Sequence, residues 1–239
     1  MALILSLETS TTFCSAALHE DGVLLAYKDV LTPLSASSQL APVIDQLLKD
    51  SKVSAKQIKA VAVASGPGSY TGLRIGVATA KGICYALQIP LIAINTLELM
   101  SYQFIHSSIS QSLFVNDPSA VVGDTLLCPM LDARRMEVYC LVADLALNII
   151  LPTQAKVIDA ESFNDLLDRK TIYFFGNGAD KCREMIKHSN AKFIDGIHPS
   201  ASQLGELAYR NFMKNEFENL SLFEPHYLKE FMVIKPKTV

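Results

Sequence analysis

Between positions 65 and 82 the chain reads Ser-Gly-Pro-Gly-Ser-Tyr-Thr-Gly-Leu-Arg-Ile-Gly-Val-Ala-Thr-Ala-Lys-Gly. A short apolar, β-branched run at 60–64 precedes it, and an apolar helical pattern follows to Leu87. A glycine-rich turn therefore joins a buried strand to a helix N-terminus. Free backbone N–H groups and the helix dipole point the same way there, so the turn is a candidate anion site with Gly66, Gly68 and Ser69 as its cradle. The alternative is a tight turn whose glycines only supply positive φ. No Gly-Lys-Ser/Thr follows, so it is not a P-loop, and the glycines are spaced one residue too widely for the dinucleotide fingerprint.

Three other polar clusters could carry chemistry. Glu8-Thr9-Ser10 ends the first apolar strand, either as a phosphate-facing carboxylate with two hydroxyls or as a capped turn with Glu8 in solvent. Asp132-Ala-Arg134-Arg135-Met-Glu137 joins two strands, and its arginines suit phosphate or a partner's carboxylates. A charged hairpin tip is the plainer reading. Gly176-Asn177-Gly178 opens a further helix and is a second candidate nucleotide loop, or a simple glycine turn. The five histidines include no pair at helical ligand spacing, so no metal site is expected. No Gly-x-Ser-x-Gly elbow is present, and no cysteine stands in a nucleophile context.

The helix from Gly72 carries two stripes of small residues, Gly72/Gly76/Ala80 and Ala78/Gly82/Ala86. Glycine inside a helix costs about 1 kcal/mol relative to alanine, so the stripes need a reason. They serve tight packing within one domain or docking against a partner, for which Gly72, Ile75, Gly76, Thr79, Ala80 and Ile83 are the candidate interface.

These pieces must be held by a fold. The 239 residues are 50% hydrophobic and 19% charged with a net charge of −3, enough for one large or two modest globular domains. That charge gives no footprint for unaided nucleic-acid binding. No apolar run reaches membrane-span length, the N-terminus lacks the charged flank of a signal peptide, and five scattered cysteines without a Cys-x-x-Cys pair fit reduced thiols in a cytoplasm.

Periodicity predicts strands at 2–7, 13–19 and 23–29, a helix over 38–50, a strand at 60–64, helix 72–87, strand 91–94 and helix 96–105. Pro42 is tolerated only in a first turn, which puts the first helix start at Ser38 or Gln39. A polar loop at 107–123, containing Asn116-Asp-Pro118, separates domains 1–106 and 107–239. The second half repeats the order with strands at 125–131, 136–142 and 149–158, helix 160–169, strand 171–175, helix 179–188, strand 192–194 and helix 200–214, ending in a tail from about 225. Twice βββαβαβα means an α/β protein of two lobes, each a mixed five-stranded sheet with flanking helices. That is the actin-like plan, shared with Hsp70 and the sugar kinases.

Leu7-Glu-Thr-Ser10, the 65–76 block, Ala80-Lys-Gly82, Leu131-Asp-Ala-Arg134, Glu137-Val-Tyr139, Gly176-Asn-Gly-Ala179 and Pro225-His-Tyr-Leu228 together resemble the TsaB (YeaZ) family, nearly end to end and in order. The resemblance implies a non-catalytic scaffold in bacterial threonylcarbamoyladenosine synthesis. Such a subunit dimerises with a TsaD-type catalytic subunit through helices 38–50 and 72–87 and helps recruit a TsaE-type ATPase. It meets tRNA only through the complex and forms a homodimer when alone. No cofactor of its own is implied, with ATP or ADP at the complex interface. Laid on the catalytic relative, the places of its metal-binding His-x-x-x-His fall at Thr96 and Met100, neither a ligand that a hard or borderline metal would choose there. Glu8 stands where members commonly have Asp, Ala36 where they usually have His, and the tail with Phe231, Met232, Val233 and Ile234 is longer than usual. The alternative is an ATP-dependent phosphotransferase or peptidase-like enzyme of the same superfamily.

Overall fold

Apolar alternation builds the first sheet. β1 (Leu3–Glu8), β2 (Phe13–Glu20) and β3 (Val23–Leu31) form an antiparallel meander. α1 (Ala36–Asp50) carries the chain over to β4 (Ala60–Gly66), which pairs parallel to β1. α2 (Tyr70–Leu87) then leads to β5 (Leu91–Asn95), parallel to β4, giving the order β3-β2-β1-β4-β5. The computed structural model describes residues 1–31, 36–116 and 123–229, apart from the side chains at 36–37 and 114–116. The tail residues Phe231 to Ile234 lie outside it, as does the Ala36 side chain.

α3 (Thr96–Ile105) and α4 (Ser108–Asn116) lead into the second half. There β6 (Thr125–Asp132), β7 (Glu137–Asp144), β8 (Ile149–Val157), β9 (Thr171–Phe175) and β10 (Ala191–Ile194) repeat the plan, in the order β10-β9-β6-β7-β8. Read from β8, strand directions and neighbours match the first sheet one for one. This is the two-lobed actin-like α/β fold expected from the element order.

Five local expectations differ. α1 begins at Ala36, so Pro42 lies inside it. Its ring sits on the exposed side, while Leu40, Val43, Ile44 and Leu47 bury the other face and hold the helix against the sheet. The 107–123 loop opens with helix α4. The helix expected at 160–169 shrinks to α5 (Asn164–Leu167). Asp159 and Ser162 take each other's donors in a side-chain turn there, which competes with a longer helix. Residues 179–188 form only a 3-10 turn, Asp180–Cys182, followed by i+3 turns. The last helix starts with a 3-10 turn, Ala201–Gln203, before α6 (Leu204–Met213).

The lobes cover each other. α1 and α2 pack on one face of the first sheet, around Leu5, Leu7, Ala16, Leu18 and Val63. The other face, with Ile4, Ala62, Ala64 and Ile92, is covered by Leu204 and Ala208 of α6, a helix that follows the second sheet in sequence. Conversely, Leu97, Met100 and Phe104 of α3, which follows the first sheet, lie on Leu127, Leu141 and Phe175 of the second. Tyr102 of α3 hydrogen-bonds Glu206 of α6, and Arg210 holds the same carboxylate at 2.5 Å. On β2, the His19 Nε2–H donates to the Ser202 carbonyl at 3.1 Å, leaving Nδ1 to accept from the Ser6 hydroxyl. Burial lowers the His19 pKa, which suits this neutral ring.

From Lys214 the chain straps back over the first lobe. Glu218 N–H donates to Leu91 O at 2.9 Å and His226 N–H to Ser65 O at 2.7 Å, while Leu220 and Phe223 pack on the first core.

A Cβ at Gly205 would overlap the His19 ring, whereas one at Gly82 would meet nothing within 4 Å. Gly205→Ala should therefore cost about 3 kcal/mol by overpacking, lowering Tm by about 6–12 °C. Gly82→Ala should raise stability by up to about 1 kcal/mol through helix propensity. Thermal melts reporting the same sign for both would contradict the α6 docking described.

Candidate functional site

β1 and β4 run parallel with Leu7 opposite Val63, so Glu8 and the glycine-rich turn emerge at the same sheet edge. The chain after β1 lies directly on the start of α2. The Thr9 hydroxyl donates to Gly72 O at 2.8 Å, and Ser69 N–H donates to Ser10 O at 2.6 Å. Ser69 also caps α2, its hydroxyl accepting from Gly72 N–H at 3.3 Å. A Cβ at Gly68 would strike Ser10 O, one at Gly72 would strike Thr9 O, and one at Gly76 the Thr9 hydroxyl.

At the candidate cradle of Gly66, Gly68 and Ser69 the chain itself takes up part of the space and two of the amides. The Ser69 and Gly72 N–H groups are used inside the chain, and the glycines let Thr9 and Ser10 come down on the helix. Gly66, at φ +110°, passes under the returning strap, and a Cβ there would stand 2.9 Å from His226 O.

Glu8, Thr9 and Ser10 are all buried, Glu8 completely. This corrects the picture of Glu8 as a solvated turn residue. One Glu8 carboxylate oxygen accepts from Ser10 N–H, while the other, like the Ser10 hydroxyl, has no partner among the described residues. Burial pushes the Glu8 pKa up to about 7, the neighbouring Ser10 pulls it partly back, and Asp29 adds a small upward push. Perturbed carboxyls often mark catalytic sites. Here desolvation is the main cause.

The second loop is closed in the same way. A Cβ at Gly176 would collide with Met130 O and the Met100 methyl, and one at Gly178 would stand 2.7 Å from the Leu131 carbonyl carbon. Asn177 accepts from Asp132 N–H at 3.0 Å. The loop's glycines and amide thus serve its seating on the end of β6.

Thr96 and Met100 lie one turn apart on α3, both fully buried. Among the described residues no three His, Cys, Asp or Glu side chains gather in a way that could hold a metal ion. No described helix is long and apolar enough to cross a membrane. A cavity of about 350 Å³ lies apart from both loops except at Ser65. Its polar lining, including Asn95, Glu98, Asn211 and Glu218, comes from distant segments and was not legible as a site.

The candidate interface on α2 divides. Gly72, Gly76 and Ala80 are buried in their own lobe, Gly72 and Gly76 against Thr9, so they present no surface. Ile75, Thr79 and Ile83 are half-buried, with Ile75 and Ile83 packed on the core. The other small-residue stripe, Ala78, Gly82 and Ala86, is exposed beside Tyr85, which is 80% accessible.

The fold and these two glycine loops define a protein of the two-lobed actin-like class. Residues 34–233 match the family model of TsaD, tRNA N6-adenosine threonylcarbamoyltransferase. The chain belongs to this family. It is 33% identical over 136 residues to the tRNA threonylcarbamoyladenosine biosynthesis protein TsaB of Escherichia coli, covering 57% of this chain and 52% of that protein. It is 35% identical over 137 residues to the TsaB of Bacillus subtilis, with the same coverage. The chain thus aligns with about half the length of the curated relatives it matches. Its fold is that of YeaZ from Pseudomonas aeruginosa, with a TM-score of 0.72 and 24% identity over 95% of this chain and all of that one. A protein described as similar to peptidase YeaZ from Pseudomonas aeruginosa has a TM-score of 0.77 at 23% identity, covering 96% of this chain and 100% of that one.

Unfolded, the Glu8 carboxyl ionises near 4.5, and folded near 7. A raised carboxyl pKa favours the fold while the group is protonated. Stability should therefore fall as pH rises from about 4.5 to about 7, by about 1.4 kcal/mol per unit, and level off above. Glu8→Gln should remove that decline while keeping the acceptor for Ser10. Superimposable Tm–pH profiles for the two proteins would mean that Glu8 titrates normally.

Proposed function

We propose that this chain is the non-catalytic, activating subunit of a threonylcarbamoyl-transferase assembly. The assembly places a threonylcarbamoyl group on the adenosine beside the anticodon of tRNAs reading codons that begin with A. The observation that carries this reading is that Thr96 and Met100 are buried, non-ligating side chains in a chain matching the transferase family over 200 positions. The closed state of both glycine loops supports it.

On this reading a TsaD-type subunit performs the transfer and a TsaE-type ATPase joins the pair. This chain docks through the solvent faces of α1 and α2 and pairs with a second copy when alone. ATP or ADP belongs at the interface with the partner, because Glu8, Thr9 and Ser10 are sealed within this lobe. Transfer RNA meets the chain only within the assembly, and the compartment is the cytoplasm.

The docking stripe is Ala78/Gly82/Ala86 with Tyr85, not the inward Gly72/Gly76/Ala80. Gly82→Arg points into open space and should leave the monomer folded. It should weaken association with the TsaD-type subunit by at least about 100-fold, roughly 2.7 kcal/mol. In a reconstituted mixture of TsaD-type and TsaE-type proteins, tRNA, ATP and threonylcarbamoyl donor, modified adenosine counted by mass spectrometry should require this chain. Modification by the chain alone, or equal modification without it, refutes the reading. Undiminished binding of Gly82→Arg by calorimetry refutes the docking face.

A further inference from the structure

The hairpin between β6 and β7 turns through Arg134 at φ +68° and Arg135 at φ +47°. Two successive residues in the left-handed region ordinarily call for glycine or asparagine, because a Cβ crowds the backbone there. Long cationic side chains at both places are held against local preference, and such an outlier asks what the side chains do.

Their surroundings sharpen the question. The turn is pinned from below by Lys181, whose ammonium reaches Asp132 and donates to Arg135 O and Glu137 O at 2.7 Å each. Lys229, at the end of the strap, pairs with Glu137. Backbone bonds close the loop, Ala133 N–H to Glu137 O at 3.1 Å and Glu137 N–H to Arg134 O at 3.2 Å. The two carboxylates flanking the tip are thus already matched by lysines. Neither arginine forms an ion pair among the described residues, and both residues are exposed. The tip carries two unmatched positive charges on a chain whose net charge is −3.

We infer that Arg134 and Arg135 form a contact for the phosphate backbone of RNA. A guanidinium offers a planar pair of donors that fits a phosphate's oxygens, with a charge that does not titrate away. A fixed turn presents both forks without ordering a loop on binding. The chain's overall negative charge gives no general attraction to nucleic acid, so the contact acts on RNA already held by the assembly. The inference rests on the reading that the assembly modifies tRNA. It adds a direct contact from this chain, where that reading has tRNA held through its partners.

The test uses the reconstituted assembly and a tRNA reading codons that begin with A. The variant is Arg134→Gly/Arg135→Gly, which relieves both left-handed positions and should keep or raise Tm. Binding of tRNA at low salt should weaken about tenfold, and the slope of log affinity against log salt should flatten by about 1 to 2. Arg134→Lys/Arg135→Lys should recover part of the loss, and association with the TsaD-type subunit should not change. Unaltered tRNA affinity and slope in the glycine variant overturn the inference while leaving the proposed function standing. So does a loss confined to subunit association, which makes the tip a contact for an acidic protein surface. A wild-type assembly that neither binds nor modifies tRNA overturns both.

Discussion

The seating of Thr9 and Ser10 on the first turns of α2 is the contact from which most of the first lobe follows. The Thr9 hydroxyl reaches Gly72 O, and Gly68, Gly72 and Gly76 leave no Cβ in the way. That approach fixes the roll of α2 about its axis. One small-residue stripe is turned inward and the other outward, so the exposed stripe is a by-product of an internal packing need. A firmly oriented helix is the result of one close approach.

The second constraint is reciprocal cover. Each sheet has one face packed by helices from its own half and one packed by the last helix of the other half. The crossing is fastened by Tyr102, Glu206 and Arg210, and by the neutral His19 ring held between Ser6 and the Ser202 carbonyl. The strap from Lys214 adds a further tie, over Ser65 and Leu91 and on to Glu137. The two lobes are therefore held together around their shared helices.

Much of this was legible in the chain because it is periodic. Alternating apolar runs gave the strands, α3 appears over the predicted span Thr96–Ile105, and the repeated element order carried the two-sheet plan. Turns decided by side-chain chemistry were harder. Asp159 with Ser162 cut short a helix that pattern favoured, and Pro42 sits inside one that pattern shortened. The site was half legible. Both stripes of α2 were visible, but which of them faces inward depends on Thr9, 63 residues from Gly72 in sequence. Whether Glu8 faces solvent stayed open in the sequence because nothing local to it announces burial. The covering of the first sheet by α6 leaves no short-range signal at all.

Reciprocal cover also sets an order of events at the ribosome. The strands of the first sheet are complete once Asn95 has been made, yet Ile4, Ala62, Ala64 and Ile92 stay open to water until α6, beginning at Leu204, has emerged. For more than a hundred residues of synthesis the nascent chain carries a finished sheet with one apolar face that only Leu99 of α3 begins to cover. The half that is translated first must wait for the half translated last, and over that interval it depends on whatever in the cell shields unfinished protein.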